Sequence, residues 1–125
     1  MDNILRIAYK ALDDKFGEDI KIIDLRGVST LADYFVITHG NSDAQVKALA
    51  DEAADKLTEA GLRVKSTEGY SGAKWVLLDF GDIIVHIFDK TNREFYNLER
   101  IWGDAPVVAM ETTGERSGHK AAPSC

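Results

Sequence analysis

The chain has a single cysteine, Cys125. One thiol allows no intrachain disulfide and no cysteine-built metal site, so a reducing, cytoplasmic setting is expected. Cys125 is not expected to act as a nucleophile, because a terminal thiol has no scaffold to hold a base beside it. Long apolar runs are missing too: nothing approaches the roughly 18 residues that would suggest a membrane span. Met1-Asp2-Asn3 brings neither the basic flank nor the apolar stretch of a secretion signal. Positive charge is also scarce, with 15 basic residues against 21 acidic and a net charge of −6. Nucleic-acid binding draws much of its affinity from Lys and Arg, and no cluster of them offsets the balance. Little direct nucleic-acid contact is expected, and a partner would be a protein, best a basic one. Neither GxxxxGK[ST] nor GxGxxG occurs.

What is present fits one domain. The 125 residues suffice to bury roughly two-thirds of the unfolded surface without staples. Residues 2–15 carry Ile4, Leu5, Ile7, Ala8, Ala11 and Leu12 at helical spacing, with Asp2 or Asn3 as cap and Gly17 as stop. Residues 20–25 and 34–38 read as strands. Ser42 and Gln45 form a capping box for a helix running to about Ala60, with Val46, Leu49, Ala50, Ala53, Ala54 and Leu57 as its apolar stripe and Gly61 as left-handed end. Leu62–Thr67 is a weaker strand, and Glu68–Lys74 a loop. Lys74–Phe80 and Ile83–Phe88 are the best strands in the chain. Only Gly81-Asp82 separates them, as in a two-residue hairpin. Ile83–Phe88 is apolar on both faces, so it belongs in the centre of a sheet. Thr91 is expected to cap a short helix through about Asn97, and Leu98–Trp102 adds one more turn or an extended end. The order α-β-β-α-β-β-β-α implies an α+β fold, a single mixed five-stranded sheet flanked by helices on both faces. The domain is expected to span residues 1–106, followed by a disordered tail over 107–125.

Each candidate for chemistry competes with a plainer reading. Gly40-Asn41-Ser42 opens a helix and could attract an anion, but the capping box already accounts for Ser42 and Gln45. Asp79 and Asp82 could share a cation, but turn chemistry explains them as well. His86 lies mid-strand among Ile and Val, where a hydrogen-bonded core histidine is the simpler reading; its imidazole could still be presented to a partner. The aromatics are harder to assign to core alone. Tyr70, Trp75, Phe80, Phe95, Tyr96 and Trp102 crowd into a third of the chain. Trp75, Leu77 and Asp79 share one strand face, and Val76, Leu78 and Phe80 the other. Trp and Tyr are favoured interface anchors, so Glu68–Trp102 reads as a binding surface without a catalytic set.

Four segments carry a resemblance: ADYFVITHGNSDAQV (Ala32–Val46), EGY (Glu68–Tyr70), WVLLDFGDIIVHIF (Trp75–Phe88) and REFYNLERIWGDAP (Arg93–Pro106). In order and spacing they resemble the ribosomal silencing factor, or Iojap, family over about residues 2–106. The resemblance implies a nucleotidyltransferase-like mixed sheet. It also implies binding to large-subunit ribosomal protein fourteen, which keeps the small subunit from joining and lowers translation in starvation or stationary phase. It further implies a homodimer when free, with no cofactor. Carried onto this chain, its partner-binding positions are Trp75, Asp79, Phe80, Gly81, Asp82, His86, Tyr96, Leu98 and Trp102, with Tyr70 as a further candidate. Trp75 and Phe80 would be apolar anchors, and Asp79 and Asp82 would meet basic side chains. His39 departs from the family pattern, which has a small residue before Gly40. Two alternatives remain: a large-subunit assembly adaptor, and a nucleotidyltransferase-like enzyme. The enzyme would need metal-bound carboxylates near the Gly40–Ser42 turn, and Leu62–Thr67 carries no acid.

Overall fold

The computed structural model describes residues 2–103 and 105–108. Its elements are α1 (Asp2–Asp14), β1 (Glu18–Asp24), β2 (Tyr34–Gly40), α2 (Asp43–Glu59), β3 (Ser66–Glu68), β4 (Trp75–Asp79), β5 (Ile83–Asp89), α3 (Lys90–Tyr96) and α4 (Leu98–Ile101). The five strands form one sheet in the order β1-β2-β5-β4-β3. Only β2 and β5 are parallel; the other neighbours are antiparallel. A parallel pair needs a crossover, and α2 with the β3–β4 segment supplies it. β5 occupies the middle, as its two apolar faces predict.

Strand alternation sends two sets of side chains to opposite faces. Val36, Val76, Leu78, Ile83, Val85 and Ile87 pack with Leu5, Leu12, Leu49 and Leu57 of α1 and α2 into the larger core. Each such aliphatic side chain stabilises the fold by roughly 1.5–3 kcal/mol when fully buried. Phe35, Ile37 and Phe88 point the other way, into a smaller cluster with Trp75, Leu98 and Trp102 at its margin. Helices therefore lie on both faces, but unequally: the two long ones share one face, and the short α3 and α4 cover part of the other.

The structure corrects several boundaries. β1 begins at Glu18, before the expected start. Its register against β2 shifts between Glu18 and Lys21, and Asp19 takes a positive φ of 46°, an irregularity that no alternation pattern reveals. β3 is only Ser66–Glu68. Leu62 and Val64 pack against the core, but the Leu62 N–H is spent on the Leu57 carbonyl at the end of α2. Asp89, not Thr91, caps α3, its side chain accepting from the Asn92 N–H at 2.8 Å. At the chain's far end Val107 bridges Ile23, and the Val108 N–H reaches the Ile22 carbonyl. Pro106–Val108 thus lies along the outer edge of β1, which would otherwise expose backbone groups. Most of the expected tail, 109–125, lies outside the described residues.

Candidate functional site

The half-open face is organised around Trp75. Trp75 pairs with Phe88 across the β4–β5 ladder, and Leu77 pairs with His86. His86 is therefore the diagonal neighbour of Trp75, within reach of a long aromatic side chain. The indole N–H donates to His86 Nδ1 at 3.0 Å. The indole stacks on Phe88, with centroids 5.0 Å apart and planes at 29°, and meets Tyr96 of α3 at 4.8 Å. Phe95 stands edge-on to Tyr96 at 5.0 Å. Phe95 and Tyr96 are 76% and 47% exposed, whereas Trp75 is half-buried. The result is an aromatic ridge whose base is held in the sheet and whose crest faces solvent.

His86 is almost wholly buried, which corrects its presentation to a partner. Burial lowers its pKa to about 4, so the ring is neutral at physiological pH. Because Nδ1 accepts from Trp75, the remaining proton sits on Nε2. Nε2 has no hydrogen-bond partner among the described residues, and neither does the buried Nε1 of Trp102. Both rings stand edge-on to Phe35, at 4.5 and 6.0 Å.

The other predicted positions divide. Phe80 is 5% exposed and belongs to the α1–α2 core, so its expected role as an outward anchor is corrected. It follows β4 with the parity of Val76 and Leu78, which send their side chains beneath the long helices. Leu98 and Trp102 are half-buried and close the smaller cluster. Gly81 adopts a φ of 92°, and its N–H is received by Asp79 Oδ1 at 2.8 Å. That is the turn reading of Asp79, while Asp82 is exposed at the tip. Tyr70 is not brought to the ridge. Its hydroxyl donates to Asp51 of α2 at 3.1 Å, and Lys47 lies over its ring. Gly69, before it, has a φ of 78° and backs onto the Trp75 carbonyl so closely that a Cβ would collide. This is a physical reason for glycine in the EGY segment.

A second assembly escaped the sequence. Arg93 of α3 is buried. It donates to Glu99 Oε2 at 2.8 Å and to the Glu18 carbonyl at 3.2 Å, and meets His39 Nδ1 at 3.0 Å. Asp19 lies 3.5 Å from it. Burial and then the charge of Arg93 depress the pKa of His39, leaving its Nδ1 free to accept. His39 is thus the counterpart of a buried guanidinium that fixes α3, and with it Tyr96, against β1 and β2. A mid-helix Arg gives no local hint of burial, and Glu99 at i+6 lies across a helix break at Asn97, where φ is 45°.

The Gly40–Ser42 turn is occupied by its own side chains. Ser42 Oγ accepts from the Gln45 N–H, Gln45 Oε1 accepts from the Asn41 N–H, and Gln45 Nε2 donates to the Phe16 carbonyl. Two of the backbone donors an anion would use, the Asn41 and Gln45 N–H groups, are thus already engaged by the capping box. Among the described residues no group of three or more His, Cys, Asp or Glu side chains could hold a metal, and no helix is long and apolar enough to cross a membrane.

Fold and site together define a single-sheet α+β protein with one helix-covered face and one aromatic, half-open face. The family model described as ribosomal silencing factor during starvation matches residues 1–124. Ribosomal silencing factor RsfS of Bacillus subtilis (strain 168) is 52% identical over 109 residues, covering 87% of this chain and 92% of that protein. A crystal structure from Bacillus halodurans superposes with a TM-score of 0.78 at 42% identity, covering 88% of this chain and 100% of the other. One from Chromobacterium violaceum gives 0.80 at 33% identity, covering 93% and 96%. The chain belongs to the ribosomal silencing factor family.

Proposed function

We propose that this chain silences ribosomes by occupancy. Its aromatic face docks on the large ribosomal subunit, at large-subunit ribosomal protein fourteen, and the bound molecule keeps the small subunit from joining. The observation that carries this reading is the Trp75–Tyr96 ridge, a sheet-held indole with exposed aromatic neighbours on the less covered face of a family member. Aromatic anchors set in such surfaces supply most of the binding energy of protein interfaces. Asp79 and Asp82 at the adjoining hairpin, in a chain of net charge −6, suit a basic partner and speed its encounter. In this reading the protein acts in the cytoplasm without cofactor or turnover and is a homodimer when free.

Gradient sedimentation of purified subunits with this protein tests it. The wild type is expected to hold subunits apart and travel with the large one. Trp75→Ala is expected to bind about 30-fold more weakly, from a hot-spot loss of about 2 kcal/mol. Binding without a block to joining would shift the reading to an assembly adaptor, and absence of binding would overturn it.

A further inference from the structure

We propose that His86 is the positioning residue of this face: it touches no partner, and its Nδ1 fixes the orientation in which Trp75 presents its indole. The inference rests on reading Trp75 as the contact to the large subunit. A Trp ring has a broad, roughly two-fold preference about χ2. One well directs the N–H edge toward β5, and the other turns that edge away. The indole is stacked on Phe88 at 5.0 Å and tilted against Tyr96 at 4.8 Å, and ring contacts of this kind do not by themselves select which edge carries the N–H. Stacking therefore sets the tilt of the ring but not which edge faces out. The 3.0 Å hydrogen bond to His86 Nδ1 distinguishes the two.

His86 suits that task because it is itself immobile. It sits in the central strand, nearly inaccessible, with Phe35 edge-on at 4.5 Å and Phe88 roughly parallel at 6.4 Å. The imidazole is held neutral by burial, so Nδ1 remains an acceptor across the physiological range. The arrangement also leaves a buried Nε2–H without a partner among the described residues. Such a donor is a cost to folding, and a Leu or Phe at this strand position would avoid it. A group that costs stability and receives only the indole of the exposed ridge is better explained by orienting that indole than by supporting the core.

The test is a double-mutant cycle on the full-length chain, read as affinity for purified large subunits. His86→Phe should bind about tenfold more weakly. The indole N–H resonance of Trp75, assigned against Trp102→Phe, should exchange with solvent at least tenfold faster. In a Trp75→Phe background, His86→Phe should cause no further loss, because there is no N–H left to orient. His86→Asn, whose Oδ1 can take the place of Nδ1, should keep the slow resonance and bind within about threefold of wild type. Wild-type affinity in His86→Phe overturns the proposal. So does an equal loss in the Trp75→Phe background, which would make His86 merely structural. If His86→Phe fails to fold, His86→Leu takes its place in the cycle, with the same supporting and overturning outcomes. Unchanged binding by Trp75→Ala would instead remove the site reading itself, and that result is separable because it does not involve His86.

Discussion

The two faces of the sheet solve different problems with the same strands. Beneath α1 and α2 the contacts are mainly aliphatic: Val36, Val76, Leu78, Val85 and Ile87 meet Leu5, Leu12, Leu49 and Leu57, all at most 2% exposed. On the opposite face the same strands present Phe35, His86, Phe88 and Trp75, and Tyr96 and Phe95 extend the aromatic set toward solvent. The first face gains stability from area alone, which is non-directional. The second combines burial with hydrogen bonds and ring geometry, which are directional. Its frame is ionic: Arg93 holds α3 in place through Glu99, Asp19 and His39. The difference assigns folding to one face and, in the proposed function, recognition to the other.

Phe80→Ala sharpens that division most. The ring lies on the stabilising face despite its hairpin neighbours, so its loss should cost about 3–5 kcal/mol, read from urea unfolding. Any loss of subunit binding should follow the unfolded fraction. A stable Phe80→Ala that failed to bind would return Phe80 to the recognition face. Arg93→Ala should cost about 3 kcal/mol, the low end for breaking a buried pair, because Glu99 still reaches solvent. Its distinguishing mark should be loss of order in α3, seen as faster amide exchange there, with the α1–α2 core still protected.

The faces should also respond differently to acid. The pKa of His86 is lowered by burial to about 4, from an unfolded value near 6.5. Between those values the unfolded chain binds the extra proton, so stability falls as pH drops through the window. By pH 5 the loss should be about 2 kcal/mol relative to pH 7. The depressed pKa of His39, from burial and then from Arg93, acts with the same sign. At Glu99 burial pushes the carboxyl up, but the Arg93 hydrogen bond and charge outweigh it, leaving a net lowering. That contribution is lost only at lower pH, as the carboxylate protonates through its folded pKa. Urea midpoints at pH 7 and 5 should therefore differ clearly for the wild type and much less for His86→Phe. An unchanged difference would show that His86 is not what the acid-sensitive face protonates.

The sequence made the helix-covered face readable and left much of the other unread. Helical spacing in α1 and α2 and the two-sided apolarity of β5 report local periodicity, which burial imposes directly. The capping box and the Gly81 turn are likewise local chemistry, spelled by residues adjacent in the chain. Trp75 and Tyr96 could be marked as unusual by composition, but their contact joins β4 to a helix beyond β5. For Phe80, strand parity and proximity to Asp79 and Asp82 point in opposite directions, and parity governs where the ring goes. Arg93 and His39 are 54 residues apart, and neither position carries a pattern that announces the other. Polar contacts of that span are made by the fold and cannot be read from spacing.

Tyr70 gives the smallest expected effect and the cleanest check on where the recognition face ends. Sequence grouped it with the aromatics of the ridge, yet its hydroxyl donates to Asp51 and its ring lies under Lys47, both on α2. Its phenol pKa is raised first by the hydrogen bond to the Asp51 carboxylate, then by burial and by that carboxylate's charge. The bond is exposed, and exposed polar contacts contribute little to stability. Tyr70→Phe should therefore leave the melting temperature and large-subunit binding unchanged. In a spectrophotometric titration it should remove a phenol that ionises above the ordinary range, and Asp51→Asn should bring that phenol back down. A Tyr70→Phe variant as defective in binding as Trp75→Ala would break the division between the faces, since it would place a recognition contact on the side of the sheet that α2 covers.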